Sequence, residues 1–158
     1  MIKKIRVKSG DIFEVNLEDN TKSYIQYIFQ DSCYLSGHLI RAFKTKNLNN
    51  NLCEIMNEEI LFYAYTRLTQ GVELGYWSRL GNCPLEKNFE LPMFRQTPDS
   101  YKMKKSYNWN IFQSGSPDRH EIGELTDEYK NFHLAGVFAP IHLCKRLELG
   151  KYPYDLPE

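Results

Sequence analysis

The sequence predicts an α+β protein, built mainly as an antiparallel, strongly curled sheet or small barrel with two short helices. Three observations predict it. Apolar and polar residues alternate with period two in several short runs, the pattern of half-buried strands. Residues that favour turns separate those runs. Only two stretches carry the apolar stripe of a helix, and strands do not alternate with long helices as a βαβ design requires. The 158 residues form a single domain, 1–158. That length buries a core without disulfides or metals. Aromatic residues make up 14% of the chain, which suits both strands and interfaces.

The elements come in this order. Lys3 to Val7 adds a short edge piece before Gly10. Phe13, Val15 and Leu17 then face one way, with Glu14 and Asn16 on the other side. "EDNTK" supplies a turn, because Asp and Asn bond their own backbone and tolerate unusual dihedrals. The return strand places Ile25, Tyr27 and Phe29 on one face and Gln26 and Gln30 on the other, with Tyr24 and Ile28 as partial exceptions, completing a hairpin. "HLIRAFKT" is a third strand. Asn49 to Asn51 cap a short helix over Leu52 to Asn57, striped by Leu52, Ile55 and Met56. "EILFYAYTRL" is apolar on nearly both faces and therefore central in a sheet. "QGVELGYWSRLGN" reads as a turn, a strand at Tyr76 to Leu80 and another turn.

Residues 83–105 are loop-rich, with a short strand near Met93 to Arg95. In "SYNWNIF", Tyr107, Trp109 and Ile111 share a face, and "SGSPD" is a turn. Ile122 to Leu125 and Leu134 to Phe138 are strands. A helix opens at Pro140, where a missing N–H costs nothing, and stops at Gly150. Its stripe is Ile141, Leu143, Cys144 and Leu147.

Composition narrows function by exclusion. Lys plus Arg equals Asp plus Glu at 20 each, against the basic excess of a dedicated nucleic-acid binder. Cys33, Cys53, Cys83 and Cys144 lie far apart with no zinc spacing, so they read as small buried apolar residues. No apolar run comes after "MIKKIRVK", and none reaches membrane-spanning length. A reducing cytoplasm fits free thiols best. No phosphate-binding glycine loop and no GxSxG elbow occurs. The pairs Glu58–Glu59 and Asp127–Glu128 sit in polar stretches that offer no means of separating their pKa values. No catalytic residue, metal ligand or cofactor is predicted. A weaker hydrolase reading centres on His120, beside Glu121, or on His133.

The ordered series "GDIFEVNL", "YIQYIFQDS", "HLIRAFK", "EIMNEEILFYAYT" and "GVELGYWSRLGN" resembles the Imm26 family of bacterial immunity proteins. "SYNWNIF", "IGELTDEY" and "GVFAPIHLCKRLELGKY" extend the likeness, which covers residues 5–152. The "GDIF" opening and the Gly-Tyr-Trp at 75–77 carry most of it. The resemblance implies a polymorphic toxin system, in which such a protein binds a cognate toxin domain and blocks it without catalysis. It also implies that Gly10, Gly75, Trp77 and Trp109 are turn and core positions. Many such toxins act on nucleic acid through basic clefts. An acidic surface speeds association with a basic partner, and Asp118, Glu121, Glu124, Asp127 and Glu128 are the candidate contacts.

The opening is also similar to the small SH3-like barrels of growth-inhibiting toxins, some of which cut RNA. Under that alternative, Tyr101, Lys102, Lys104, Lys105 and Tyr107 grip a phosphate backbone and stack a base.

Overall fold

The computed structural model describes residues 4–44, 46–47, 51–100, 102–153 and 157. Among the described residues, two open sheets and three helices are packed in layers. The first sheet contains β1 (Asp11–Asn16), β2 (Lys22–Asp31), β3 (Gly37–Phe43), β4 (Ile60–Thr66), β5 (Trp77–Asn82) and β10 (Val137–Phe138). Its spatial order is β10-β4-β3-β2-β1-β5, antiparallel except for the β10–β4 pair. The second sheet contains β6 (Met93–Gln96), β7 (Trp109–Gln113), β8 (His120–Gly123) and β9 (His133–Leu134). Its order is β8-β7-β6-β9, with β9 parallel to β6.

Neither sheet closes, so the expected barrel or strong curl gives way to layers. The reason lies in the residues of the first sheet, which are apolar on both faces and need a cover on each. One face presents Phe13, Val15, Ile25, Ile40, Ala42 and Phe62 to α3 (Pro140–Leu149) and to Leu68 of α2 (Leu68–Glu73). On the opposite face, Ile28, Leu39 and Tyr65 meet Phe94 and Phe112 of the second sheet. Beside them Ile12, Tyr24 and Phe43 meet Ile55 of α1 (Leu52–Met56).

The first hairpin forms where the alternation places it, with Phe13 opposite Ile25. Phe29 does not share a face with Tyr27 as the alternation implies. The register between β2 and β3 shifts between Tyr27 and Phe29. The extra residue reverses the parity of the residues after it, and Phe29 packs with Ile28 against the second sheet. Lys4 to Val7 is not a strand, and Lys3 lies outside the described residues.

Asn51 caps α1 as expected, its Oδ1 accepting the Glu54 N–H at 3.4 Å, while Asn49 and Asn50 lie outside the described residues. The third helix, α2, stands where the glycines predict a turn. Gly71 does not break this helix; it makes room. A Cβ there would fall inside the Trp77 indole, and the Trp77 Nε1–H donates to the Leu68 carbonyl at 3.0 Å. The single strand expected over Leu134 to Phe138 is divided at Ala135 and Gly136, so that β9 joins one sheet and β10 the other. α3 begins at Pro140 and ends at Gly150, whose φ of 67° is left-handed. Its buried stripe is Pro140, Leu143, Cys144 and Leu147, and Ile141 lies exposed beside it.

Candidate functional site

The predicted contact residues flank β8 and the start of β7 in the second sheet, and only Asp118, beside Arg119, comes near the turn that joins β2 to β3. Asp31, at the end of β2, is buried. Its Oδ2 accepts the Tyr65 hydroxyl at 2.7 Å and the Gly115 N–H at 2.8 Å. Its Oδ1 accepts the Cys33 N–H at 2.9 Å. One carboxylate thus ties the β2–β3 turn to the β7–β8 turn. Arg119 adds a second tie. Its Nη2 donates to the Cys33 carbonyl at 2.8 Å, and its guanidinium lies 4.0 Å from the Phe112 ring centroid. Tyr34 fills the space between, 4.6 Å from Tyr65 and 5.2 Å from Phe112, centroid to centroid.

The acidic set runs along the outer side of the second sheet. Asp118 precedes β8, Glu121 lies on it, and Glu124, Asp127 and Glu128 come after it. All five are exposed. Glu124 pairs with Lys105 at 3.2 Å and Asp127 with Lys130 at 3.2 Å. Asp118, Glu121 and Glu128 make no ion pair among the described residues. β8 is an edge strand, so these carboxylates border open solvent.

The basic and aromatic set lies next to it. Lys102, Lys104, Lys105 and Tyr107 are exposed, and Tyr101 lies outside the described residues. Lys105 sits 4.9 Å from the Tyr107 ring centroid, and its hydrogen bond to Glu124 raises its pKa. Tyr107 precedes β7 and stands in solvent, while Trp109 and Ile111 are buried within the strand. The Lys105–Glu124 pair therefore stitches the two sets into one surface of mixed sign.

The histidines do not converge. His120 is on β8 and His133 on β9, at opposite edges of the second sheet. Three strand spacings separate those edges, about 14 Å. His133 Nδ1 accepts the Tyr63 N–H at 3.4 Å. Burial, reinforced by the Arg146 and Arg95 charges, pushes its pKa down to about 4. No group of three or more His, Cys, Asp or Glu side chains is placed to hold a metal among the described residues. Burial pushes the Cys144 thiol up to about 12, far from thiolate chemistry.

A groove of about 580 Å³ opens at the end of the first sheet, between the β2–β3 turn and α2. Leu35, Ser36, His38, Arg67, Gln70 and Glu73 contribute to its walls. His38 Nδ1 accepts the Leu68 N–H at 3.3 Å, serving the first turn of α2, which has no side-chain cap from Arg67. Sequence reasoning missed this groove. Its only local signal is a leucine at the tip of "DSCYLSGH", where turn residues are usually polar.

The family model for Immunity protein 26, Imm26, matches residues 8–107. The chain belongs to the Imm26 family. No curated relative and no solved structure matches it. The part matched to Imm26 holds β1 to β6, α1 and α2, and with them every groove residue named above. The acidic set lies beyond it. Membership in Imm26 makes this an immunity protein and implies a toxin as its partner. No helix among the described residues is long and apolar enough to cross a membrane.

Proposed function

We propose that this Imm26 protein neutralises a cognate toxin domain by binding it tightly and covering its active site or substrate groove. The inhibition is stoichiometric and non-catalytic, and it operates in the bacterial cytoplasm as part of a polymorphic toxin system. The observation that carries the reading is the Imm26 match over residues 8–107. The acidic segment supports a steering role. Asp118, Glu121, Glu124, Asp127 and Glu128 are exposed around an edge strand, and carboxylates on an interface rim mainly raise association rates toward a basic partner.

Co-expression with the toxin encoded beside this chain tests the reading. Rescue of growth and a one-to-one complex are expected; an active toxin that is neither rescued nor bound sinks it. Reversing Asp118, Glu121 and Glu128 to lysine is expected to slow association about tenfold at low salt and to leave dissociation little changed. Equal association rates for wild type and variant would remove the acidic segment from the interface.

The nucleic-acid alternative has less support. The Lys105 charge is engaged by Glu124, and carboxylates border the lysines. Flat fluorescence anisotropy with single-stranded RNA or DNA at low salt is the expected result, since phosphate contacts are strongest there.

A further inference from the structure

The β2–β3 turn breaks two local rules at once. Leu35 and Ser36 are consecutive residues in the left-handed region, with φ of 51° and 52°. A Cβ makes that conformation costly, and glycine or asparagine is its usual occupant. Leu35 is also 81% exposed, more than any other large apolar side chain among the described residues. The core beneath does not need it. Tyr34 already fills the space against Tyr65 and Phe112, and Leu35 takes no part in that cluster. Strained backbone and an apolar side chain held in water both work against folding, and folding alone gives no reason for their coincidence at Leu35.

The turn is nevertheless firmly held. Cys33 N–H donates to Asp31, Gln30 Nε2 donates to the Ser36 carbonyl at 3.0 Å, and Arg119 donates to the Cys33 carbonyl. Leu35 is therefore presented on a preset base and loses little freedom on binding. The groove opens at its foot, with Arg67, Gln70 and Glu73 on the α2 side. Through Arg119 the turn adjoins Asp118, the first of the acidic residues. An apolar tip flanked by a groove and a charged rim has the anatomy of a protein interface.

We propose that Leu35 is the apolar anchor of the toxin interface. It enters a pocket of the cognate toxin domain, and a toxin side chain occupies the groove at its foot. The acidic segment then lies against the basic rim of the toxin. This inference rests on the toxin-neutralising reading above and adds the contact surface to it.

The test compares wild type, Leu35→Asn, Gln70→Tyr and Leu149→Asn in thermal melts, light scattering and calorimetric titration with the toxin domain. Asparagine suits a left-handed residue, so Leu35→Asn is expected to melt at or above the wild-type temperature while its toxin affinity falls about 10- to 100-fold. Gln70→Tyr, which fills the groove from α2, is expected to lower affinity about tenfold. Leu149→Asn alters an exposed leucine on α3 and is expected to leave affinity unchanged. A wild type that binds tightly with Leu35→Asn within about twofold of it overturns the anchor alone. A wild type that does not bind the active toxin overturns the toxin-neutralising reading itself. A wild-type dimer abolished by Leu35→Asn, with toxin affinity intact, overturns the anchor in favour of self-association.

Discussion

Buried charge at single positions decides how rigidly the turns are held. Asp31 satisfies a hydroxyl and two backbone N–H groups from three segments of the chain. Removing one partner of such a cluster leaves the others buried and unsatisfied, which costs more than the bond itself. Asp31→Ala is expected to destabilise the protein by about 3 kcal/mol, and Tyr65→Phe by about 1 kcal/mol, in urea titrations. Equal effects would mean that Asp31 holds nothing beyond Tyr65. Arg41 works in the same manner between the apolar clusters. Its Nε donates to Gln26 at 2.7 Å, and its guanidinium pairs with Glu86 at 3.0 Å.

His133 sets a dependence on pH. Its pKa is about 4 in the folded chain and about 6.5 when unfolded. Between those values the unfolded state binds more protons, so stability falls as pH drops from 6.5 toward 4 and is flat above. Burial shifts His38 in the same direction, which adds to the slope. His133→Gln is expected to flatten part of the acid limb in melts taken from pH 4 to 7; an unchanged limb would show that His133 contributes nothing to it.

At the scale of elements, glycine carries two opposite meanings. Gly71 sits inside α2 because Trp77 occupies the space a side chain would need. Gly71→Ala is expected to cost about 2 kcal/mol or more through overpacking, although alanine is the better helix former. A variant as stable as wild type in urea would mean that Trp77 moves aside freely. This ambiguity explains what the sequence hid. The alternation of Phe13, Val15 and Leu17, the Asn51 cap and the Pro140-to-Gly150 frame of α3 were legible because each rests on neighbours in sequence. The helix at α2, the reversed face of Phe29 and the division of β9 from β10 were not. Each depends on a partner far along the chain: Trp77 for Gly71, the β3 register for Phe29, and two different sheets for His133 to Phe138. Of the candidate site, the acidic segment was visible as composition. The Leu35 turn was not, because a single exposed leucine has no periodicity to betray it.

For the whole molecule, the layers make the C-terminal third structural. The part matched to Imm26 ends at 107, yet Phe112 closes one core and Leu143, Cys144 and Leu147 close another. A chain cut after Tyr107 is expected to show no cooperative melt by circular dichroism, because the faces of the first sheet lose their covers. A sharp transition in that fragment would mean that the first sheet is sufficient by itself.

The short crossing at Ala135 and Gly136 has a further consequence, for the timing of synthesis. β10 pairs with β4 through Val137 and Tyr65, and β9 with β6 through His133 and Phe94. Neither seam can form until the ribosome has released these late residues, and α3 emerges later still. A nascent chain therefore carries the strands of the first sheet with apolar surface still uncovered, a state prone to misassembly. Protection of the cell would begin only some seconds after the Leu35 turn has been made, at the usual pace of about 5–20 residues per second.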